Sequence, residues 1–522
     1  MKIGLGRSAA LLQLIAVGSL ALFAVHAVGG AKQGISVVVD WNNTIAISKT
    51  VPTMLICPEP LLRKGSPIHD RLFESVRDLG AKYVRYQLYV TYPGLSVAEL
   101  EPPNKDTTFW DFSAIDSIVI PFLEATKGHE PILNFSTIPN WMFKTDTPIK
   151  YPNDPNKYAP DYGGGTELVD PTSQQVGNYY ARIVSWYTKG GFTDENGRYH
   201  RSGYHYDLSW WGVLNEVDVE HDTTPEQYSA RYDAIVTAIR RVNPTMKFVG
   251  MALGLPSFQP QFFEYFLNPK NHQPGIPLDM IAYHFYAGYF AGSSKHETLN
   301  EWQYTFFSQA DGFLNTVRYI ESIRDRLSPH TLVNLEELGT IVNRDLGLPS
   351  AEVRRIPPVY WNLSGALYAY LYIESARVGI DVAGESQLLP DAPQRNASVG
   401  MMDRTTGQPN ARFRVLQLIN RHFGLGDKLI STEIGDWTAF GAPFGVAADV
   451  TAQAFKTPRG KRLLAVNKRA VAVDISTVGL GRIDRVEVVD VKTGDNPPRI
   501  DHPTGETLHL EPFAVAVLAM GN

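Results

Sequence analysis

The chain has 522 residues, of which 44% are apolar, 11% aromatic and 20% charged: enough for a large core and too apolar for a disordered chain. Its 43 glycines and 35 prolines are unevenly spread, which excludes a collagen-like repeat. A formal charge of −6 argues against a nucleic-acid partner held through phosphates, and the single cysteine, Cys57, excludes an internal disulfide framework or a cysteine-based metal cluster.

Residues 1–27 read as an export signal. Lys2 and Arg7 precede an apolar run over 9–28, and Val25 and Ala27 give the small-residue spacing for cleavage after Ala27. An uncleaved anchor is the alternative, because roughly 20 apolar residues span a bilayer. Gln13, Ser19 and His26 count against it. Residues 28–52 hold strand-like runs at 35–39 and 44–47 that are candidates to join a later sheet.

Over 53–426 short apolar stretches alternate with amphipathic ones. The apolar runs predict strands at 53–57, 82–88, 130–135, 208–214, 247–252, 278–285, 331–336 and 379–384. Helical patterns fall at 68–79, 112–126, 173–189, 225–242, 258–267, 305–327, 357–377 and 408–423. Ser173 is a candidate helix cap, Thr224-Pro225-Glu226 places proline in a first turn, and Asn243-Pro244 ends that helix. Eight strand–helix pairs predict an α/β fold, the closed (β/α)8 TIM barrel. Over 427–522 the rhythm changes to short strands split by Gly479, Gly481, Gly494 and Pro497-Pro498, which predicts a C-terminal β-sandwich.

Catalytic residues of such a barrel project from the C-terminal ends of its strands. The fourth predicted strand runs into Leu214-Asn215-Glu216, and the seventh into Glu336-Glu337-Leu338-Gly339. Carboxylates on strands four and seven face each other across the barrel mouth. One can protonate a glycosidic oxygen while the other attacks the anomeric carbon, and a separation of roughly 5 Å gives retention of configuration. Asn215, just before the acid, is placed to bond a sugar 2-hydroxyl. Strand alternation lets only one of Glu336 and Glu337 point inward. Trp141 and Trp302 are candidates for stacking on a sugar ring.

Trp-Gly-Val-Leu-Asn-Glu at 211–216 and Glu-Leu-Gly-Thr at 337–340 resemble the acid/base and nucleophile motifs of the clan A glycoside hydrolases. The arrangement most resembles family 39, which includes β-xylosidases and α-L-iduronidases. Leu338 stands where that family carries an aromatic residue, and Val217 where it carries proline. The resemblance implies Glu216 as acid/base and Glu337 as nucleophile, with Arg85 bracing the nucleophile. It places His284 and Tyr286 of the sixth strand in the substrate site, Tyr286 as a hydrogen-bond donor to the nucleophile. Many relatives carry tryptophan at the end of strand eight. Here that segment reads Gly384-Glu385-Ser386-Gln387, making Glu385 and Gln387 candidates to bond sugar hydroxyls instead.

There is no His-Glu-x-x-His pair, no Gly-x-Ser-x-Gly elbow and no P-loop, so no metal or cofactor is expected. Sequons at Asn42, Asn134, Asn362 and Asn396 matter only in a glycosylating host. The expectation is a secreted (extracellular or periplasmic) retaining glycosidase whose partner is an oligosaccharide or glycoside of xyloside, arabinoside or uronide type. Long connections at 89–111, 137–172 and 287–304 favour a pocket and exo action. An endo-acting β-glycanase on the same barrel and a non-catalytic carbohydrate-binding surface protein are the alternatives.

Overall fold

The computed structural model describes residues 35–89, 91–147, 149–159, 165–288, 298–342, 356–390, 397–435 and 448–521. The predicted signal segment and Asn396 lie outside them. Among the described residues no helix is long and apolar enough to cross a membrane.

Eight parallel strands close into a barrel: β2 (Val51–Ile56), β3 (Arg85–Leu88), β4 (Ile132–Phe135), β7 (Trp210–Gly212), β8 (Lys247–Leu253), β9 (Met280–Ala287), β10 (Leu332–Thr340) and β11 (Val382–Glu385). β5 (Gly191–Thr193) and β6 (Tyr199–Arg201) form a small separate hairpin, which the sequence pattern did not separate from the surrounding connection. The barrel strands neighbour one another in chain order, and the last pairs with the first through Val382 and Val51. They are buried on both faces, which is why they appear in the sequence as unbroken apolar runs.

The helices between them are α1 (His69–Leu79), the short α2 (Pro93–Ser96), α3 (Ser113–Ala125), α4 (Gln174–Thr188), α5 (Pro225–Val242), α6 (Pro260–Phe266), α7 (Leu299–Leu327), α8 (Val359–Val378) and α9 (Ala411–His422). Their ends follow local chemistry. Thr224 and Gln227 form a capping box at α5: Gln227 N–H donates to Thr224 Oγ1 at 3.2 Å, and Thr224 N–H to Gln227 Oε1 at 3.0 Å. At α4 the expected cap is corrected. Ser173 makes no side-chain cap bond; the Asp170 carboxylate instead accepts the N–H groups of Thr172 and Gln175.

The C-terminal part is built from β12 (Lys428–Ile434), β13 (Val450–Thr457), β14 (Gly460–Asn467), β15 (Val473–Ser476), β16 (Ile483–Val489), β17 (Arg499–Asp501), β18 (Thr507–Leu510) and β19 (Val515–Met520). β1 (Ile35–Ile47) precedes the barrel in sequence yet pairs antiparallel with β12 along most of its length. Its first two residues pair with β15 instead, so one long strand passes from the larger sheet to the smaller. The two sheets close over Val37, Ile430, Leu463, Ala465, Ile475, Leu508 and Leu510. Alternate residues on the same strands, Leu464, Val466, Val515 and Val517, belong to the barrel's core. Period-two alternation thus lets one sheet serve two cores. This is the TIM barrel with a trailing sandwich.

Candidate active site

The two carboxylates are delivered by strained or bulged backbone at the barrel mouth. After β7 the chain leaves the sheet through Leu214 (φ 64°) and Glu216 (φ 38°), both in the left-handed region that non-glycine residues rarely adopt. Glu216 N–H donates to Ala252 O at 2.8 Å, and Asn134 of β4 donates its side-chain amide to Leu214 O at 3.0 Å. Asp218 ties the loop to its neighbour by accepting the N–H groups of Gly254 and Leu255, each at 2.9 Å. Glu216 is thereby aimed over the mouth, its side chain 26% exposed.

On β10 the alternation argument fails, and the cause is visible in the register. Asn334 pairs with Ala282 but Glu337 with His284, so β10 spends three residues where β9 spends two. The same extra residue shows against β11, between Leu335 and Leu338. A bulge of this kind turns two successive side chains to one face. Glu336 and Glu337 therefore both enter the barrel.

Arg85 is buried between them. Its Nη1–H donates to Glu337 Oε1 at 2.7 Å and its Nη2–H to Asn215 Oδ1 at 2.7 Å, while Nε lies 3.4 Å from Glu336 Oε2. Tyr286 donates its hydroxyl to Glu337 Oε2 at 2.7 Å and also meets the Ser386 hydroxyl. His284 spans the site: Nδ1 is 2.9 Å from Glu216 Oε1, and Nε2 is 3.5 Å from an oxygen of both Glu336 and Glu337.

These contacts separate the two acids electrically. Burial raises Glu216, aided by the charge of Glu337, and His284 offsets only part of that, so its carboxyl titrates above the ordinary value. Burial also acts on Glu337, but His284, Arg85 and Tyr286 outweigh it and hold the carboxyl below the ordinary value. Burial opposes the charged form of His284, yet Glu337, Glu216 and Glu336 together push it up to about 10.

Six of the expected residues thus converge: Glu216, Glu337, Asn215, Arg85, His284 and Tyr286. Trp141 lies in the turn after β4, half-buried, donating its indole N–H to Glu99 O at 3.0 Å. Trp302 is a correction. It starts α7, is buried, and packs on Phe306 and Tyr360, so its ring is engaged by the protein core rather than turned to a sugar. Glu385 is a second correction. It is fully buried against Arg412 of α9 at 2.9 Å, where burial pushes it up to about 7 against the pull of that arginine. Gln387 likewise accepts from the Cys57 thiol at 3.0 Å and donates to Leu389 O.

Two residues escaped the sequence reading. Glu336 was set aside by alternation. Glu220 accepts from Asn215 Nδ2 at 2.8 Å, and burial with the neighbouring Glu216 charge pushes it up to about 8, a neutral carboxylic acid beside the pair. Its position four residues past Glu216, in a loop, carries no periodic signal. Glu216, His284 and Glu337 offer ligand atoms all within 4.8 Å of one another, close enough to chelate a cation. The buried Arg85 guanidinium already supplies positive charge there, which disfavours one.

No family model matches the chain, and no curated protein matches it. Solved structures do. A glucosidase from Croceicoccus marinus superposes with a TM-score of 0.57 at 16% identity, covering 93% of this chain and 98% of that one. The GH51 arabinofuranosidase from Xanthomonas axonopodis pv. citri gives 0.59 at 11% identity, covering 93% and 99%. A GH39 β-xylosidase from Caulobacter crescentus gives 0.56 at 13%, covering 92% and 99%. The chain therefore has, over nearly its whole length, the fold on which these glycoside hydrolases are built.

Proposed function

We propose that this protein is an exported retaining glycoside hydrolase of the clan A type. The observation that carries the reading is the placement of Glu216 and Glu337, on barrel strands four and seven, with oxygens within 4.8 Å of each other. That spacing suits a retaining mechanism at roughly 5 Å, whereas an inverting enzyme leaves roughly 6.5–9.5 Å for a water. Their opposite electrical environments support the division of labour. Glu337, whose carboxyl is held below the ordinary value, attacks the anomeric carbon; Glu216, whose carboxyl is raised, gives its proton to the departing oxygen and later takes one from water.

Asn215 is held by Arg85 and Glu220 with one amide hydrogen free for a sugar hydroxyl. The motif resemblance to family 39 and the arabinofuranosidase and β-xylosidase among the structural neighbours favour a pentoside substrate. Charge favours it further over a uronide: the Glu336 and Glu337 carboxylates stand at a mouth where Arg85 is already engaged. Export rests on the basic and apolar N-terminal segment.

A panel of aryl glycosides tests the reading, with the anomer of the first-formed product followed by NMR. Retention on an arabinoside or xyloside is expected, and Glu337→Gly should lower turnover by about 10³-fold or more. Wild-type turnover in that variant, or an inverted product, would sink the assignment.

A further inference from the structure

Glu336 is the charged group in this cluster that the reaction leaves unused. Its side chain is 2% exposed. Oε2 accepts the Asn334 amide at 3.1 Å and lies beside Arg85 Nε, so it is not presented to a substrate. Oε1 has no hydrogen-bond partner and faces His284 Nε2 at 3.5 Å, the other end of the ring whose Nδ1 touches Glu216.

The geometry points to Glu336 as a positioning residue acting through His284: it is the standing negative charge that keeps a proton on the imidazole after Glu337 has been esterified, leaving Glu216 free to act as base. This rests on the retaining-glycosidase reading above. In the first half-reaction a Glu337 oxygen bonds to the anomeric carbon, the glycosidic C–O bond breaks with its electron pair on the leaving oxygen, and Glu216 supplies that oxygen's proton. Glu337, now an ester, no longer carries the charge that faced Nε2. The proton between His284 Nδ1 and Glu216 Oε1, 2.9 Å apart, then has two places to sit. In a buried site with no other anion at Nε2 it would pass to Glu216, because two neutral groups cost less desolvation than an ion pair. Glu216 would then be unable to take the proton of the attacking water.

With Glu336 ionised at Nε2, the imidazolium persists and Glu216 stays a carboxylate. Water's oxygen then bonds to the anomeric carbon, its proton goes to Glu216, and the ester C–O bond breaks with its electrons returning to Glu337. The other groups facing this network are accounted for. Arg85 on β3 contacts both Glu336 and Glu337; Asp218 and Glu220 stand on the loop beside Glu216; Tyr286 on β9 bonds Glu337. Asp218 is taken up by the N–H groups of Gly254 and Leu255, which leaves Glu336, among the described residues, as the carboxyl that faces Nε2 and is untouched by bond making. The contribution of Glu336 to the raised value of His284 agrees with this role.

The test is step-resolved kinetics on a 2,4-dinitrophenyl glycoside of whichever sugar the parent cleaves, since that leaving group needs no proton. Parent turnover tests the glycosidase reading; the contrast between parent and variant tests this one. In Glu336→Gln, kcat should fall about tenfold to hundredfold with KM falling in step, kcat/KM staying within about threefold. A burst of dinitrophenolate should appear, and azide, which needs no base, should restore turnover as glycosyl azide. The acid limb of kcat should move up by about one pH unit. In His284→Asn no imidazolium proton remains to pass to Glu216, so adding Glu336→Gln to it should lower kcat no further. Equal losses in kcat and kcat/KM without burst or rescue in Glu336→Gln would overturn the proposal, as would an unchanged kcat and pH profile, or a further loss of kcat when Glu336→Gln is added to His284→Asn. Should Glu336→Gln fail to fold, Glu336→Asp, which keeps the carboxylate but draws it back from His284 Nε2, decides by the same readings.

Discussion

Arg85 touches Glu337, Asn215 and Glu336 at once, so one guanidinium sets both the charge and the aim of the surroundings of Glu337. Lysine would keep the charge and lose the fork. Its electrical effect has a pH signature. The proposed reaction needs Glu337 ionised and Glu216 protonated; the first titrates below the ordinary carboxylate value and the second above it. kcat/KM should therefore rise with pH through the lowered value and fall through the raised one, a bell whose two apparent values belong to the pair. In Arg85→Gln the acid limb should move to higher pH, because a cation that favoured ionised Glu337 is gone. A pH–rate profile unchanged on that limb would mean the guanidinium is not felt by the nucleophile. Most of these residues were legible in the sequence, since Asn-Glu at a strand end and a second glutamate at the matching end leave few other readings. Glu385 was not, because its outward direction depends on Arg412, 27 residues further along.

At the scale of elements, the site depends on where β10 breaks its alternation. The extra residue between Asn334 and Glu337 admits a second carboxylate, and the strand then resumes pairing at Glu337, which sets Gly339 opposite Tyr286. Glycine is needed there for space: a Cβ would sit 2.9 Å from the Tyr286 ring. Gly339→Ala should push that ring away from Glu337 and lower kcat by about tenfold to hundredfold while leaving the fold intact. Circular dichroism and kinetics on one preparation check this, and unaltered kcat would show that the ring position is immaterial. The helices were the more readable elements, because capping boxes and first-turn prolines are local chemistry. A bulge is not. It exists only relative to two neighbouring strands, one of them about 50 residues away.

At the scale of the whole molecule, barrel and sandwich are joined through packed and charged contacts rather than a linker. Phe423 meets Phe455 in a tilted ring pair at 4.6 Å, Arg377 reaches Gln453 and Ala452 O, and Arg469 reaches Gln303 O. At the centre of another contact His422 Nε2 lies 3.0 Å from Glu487 Oε1, with Arg421 and Arg485 beside it. The hydrogen bond with His422 leads a set of interactions that lower Glu487 to about 2. A carboxyl depressed in the folded state contributes stability above its unfolded value and loses it as pH falls through the folded one. The protein should accordingly lose on the order of 3 kcal/mol from this group between about pH 4.5 and 2. Glu487→Gln should melt lower at neutral pH and show a flatter decline in that window. Parallel decline in parent and variant would remove Glu487 from the account. Both parts should melt in one transition, because β14 is buried in two cores at once.

The number of barrel strands, the placement of the long helices and the pairing of acids after strand four and on strand seven were decided by the sequence alone, because apolar periodicity and strand-end position are local properties that a closed barrel preserves. Three things were decided only by the tertiary structure. Which way Glu336 and Glu385 point depends on register and on a helix-borne arginine. Which rings are free to meet a sugar depends on what packs against Trp302. The opposite shifts of two chemically identical glutamates depend on Arg85 of one strand and on His284 and Tyr286 of another. Each is a relation between distant segments, set by burial and charge once the barrel has closed.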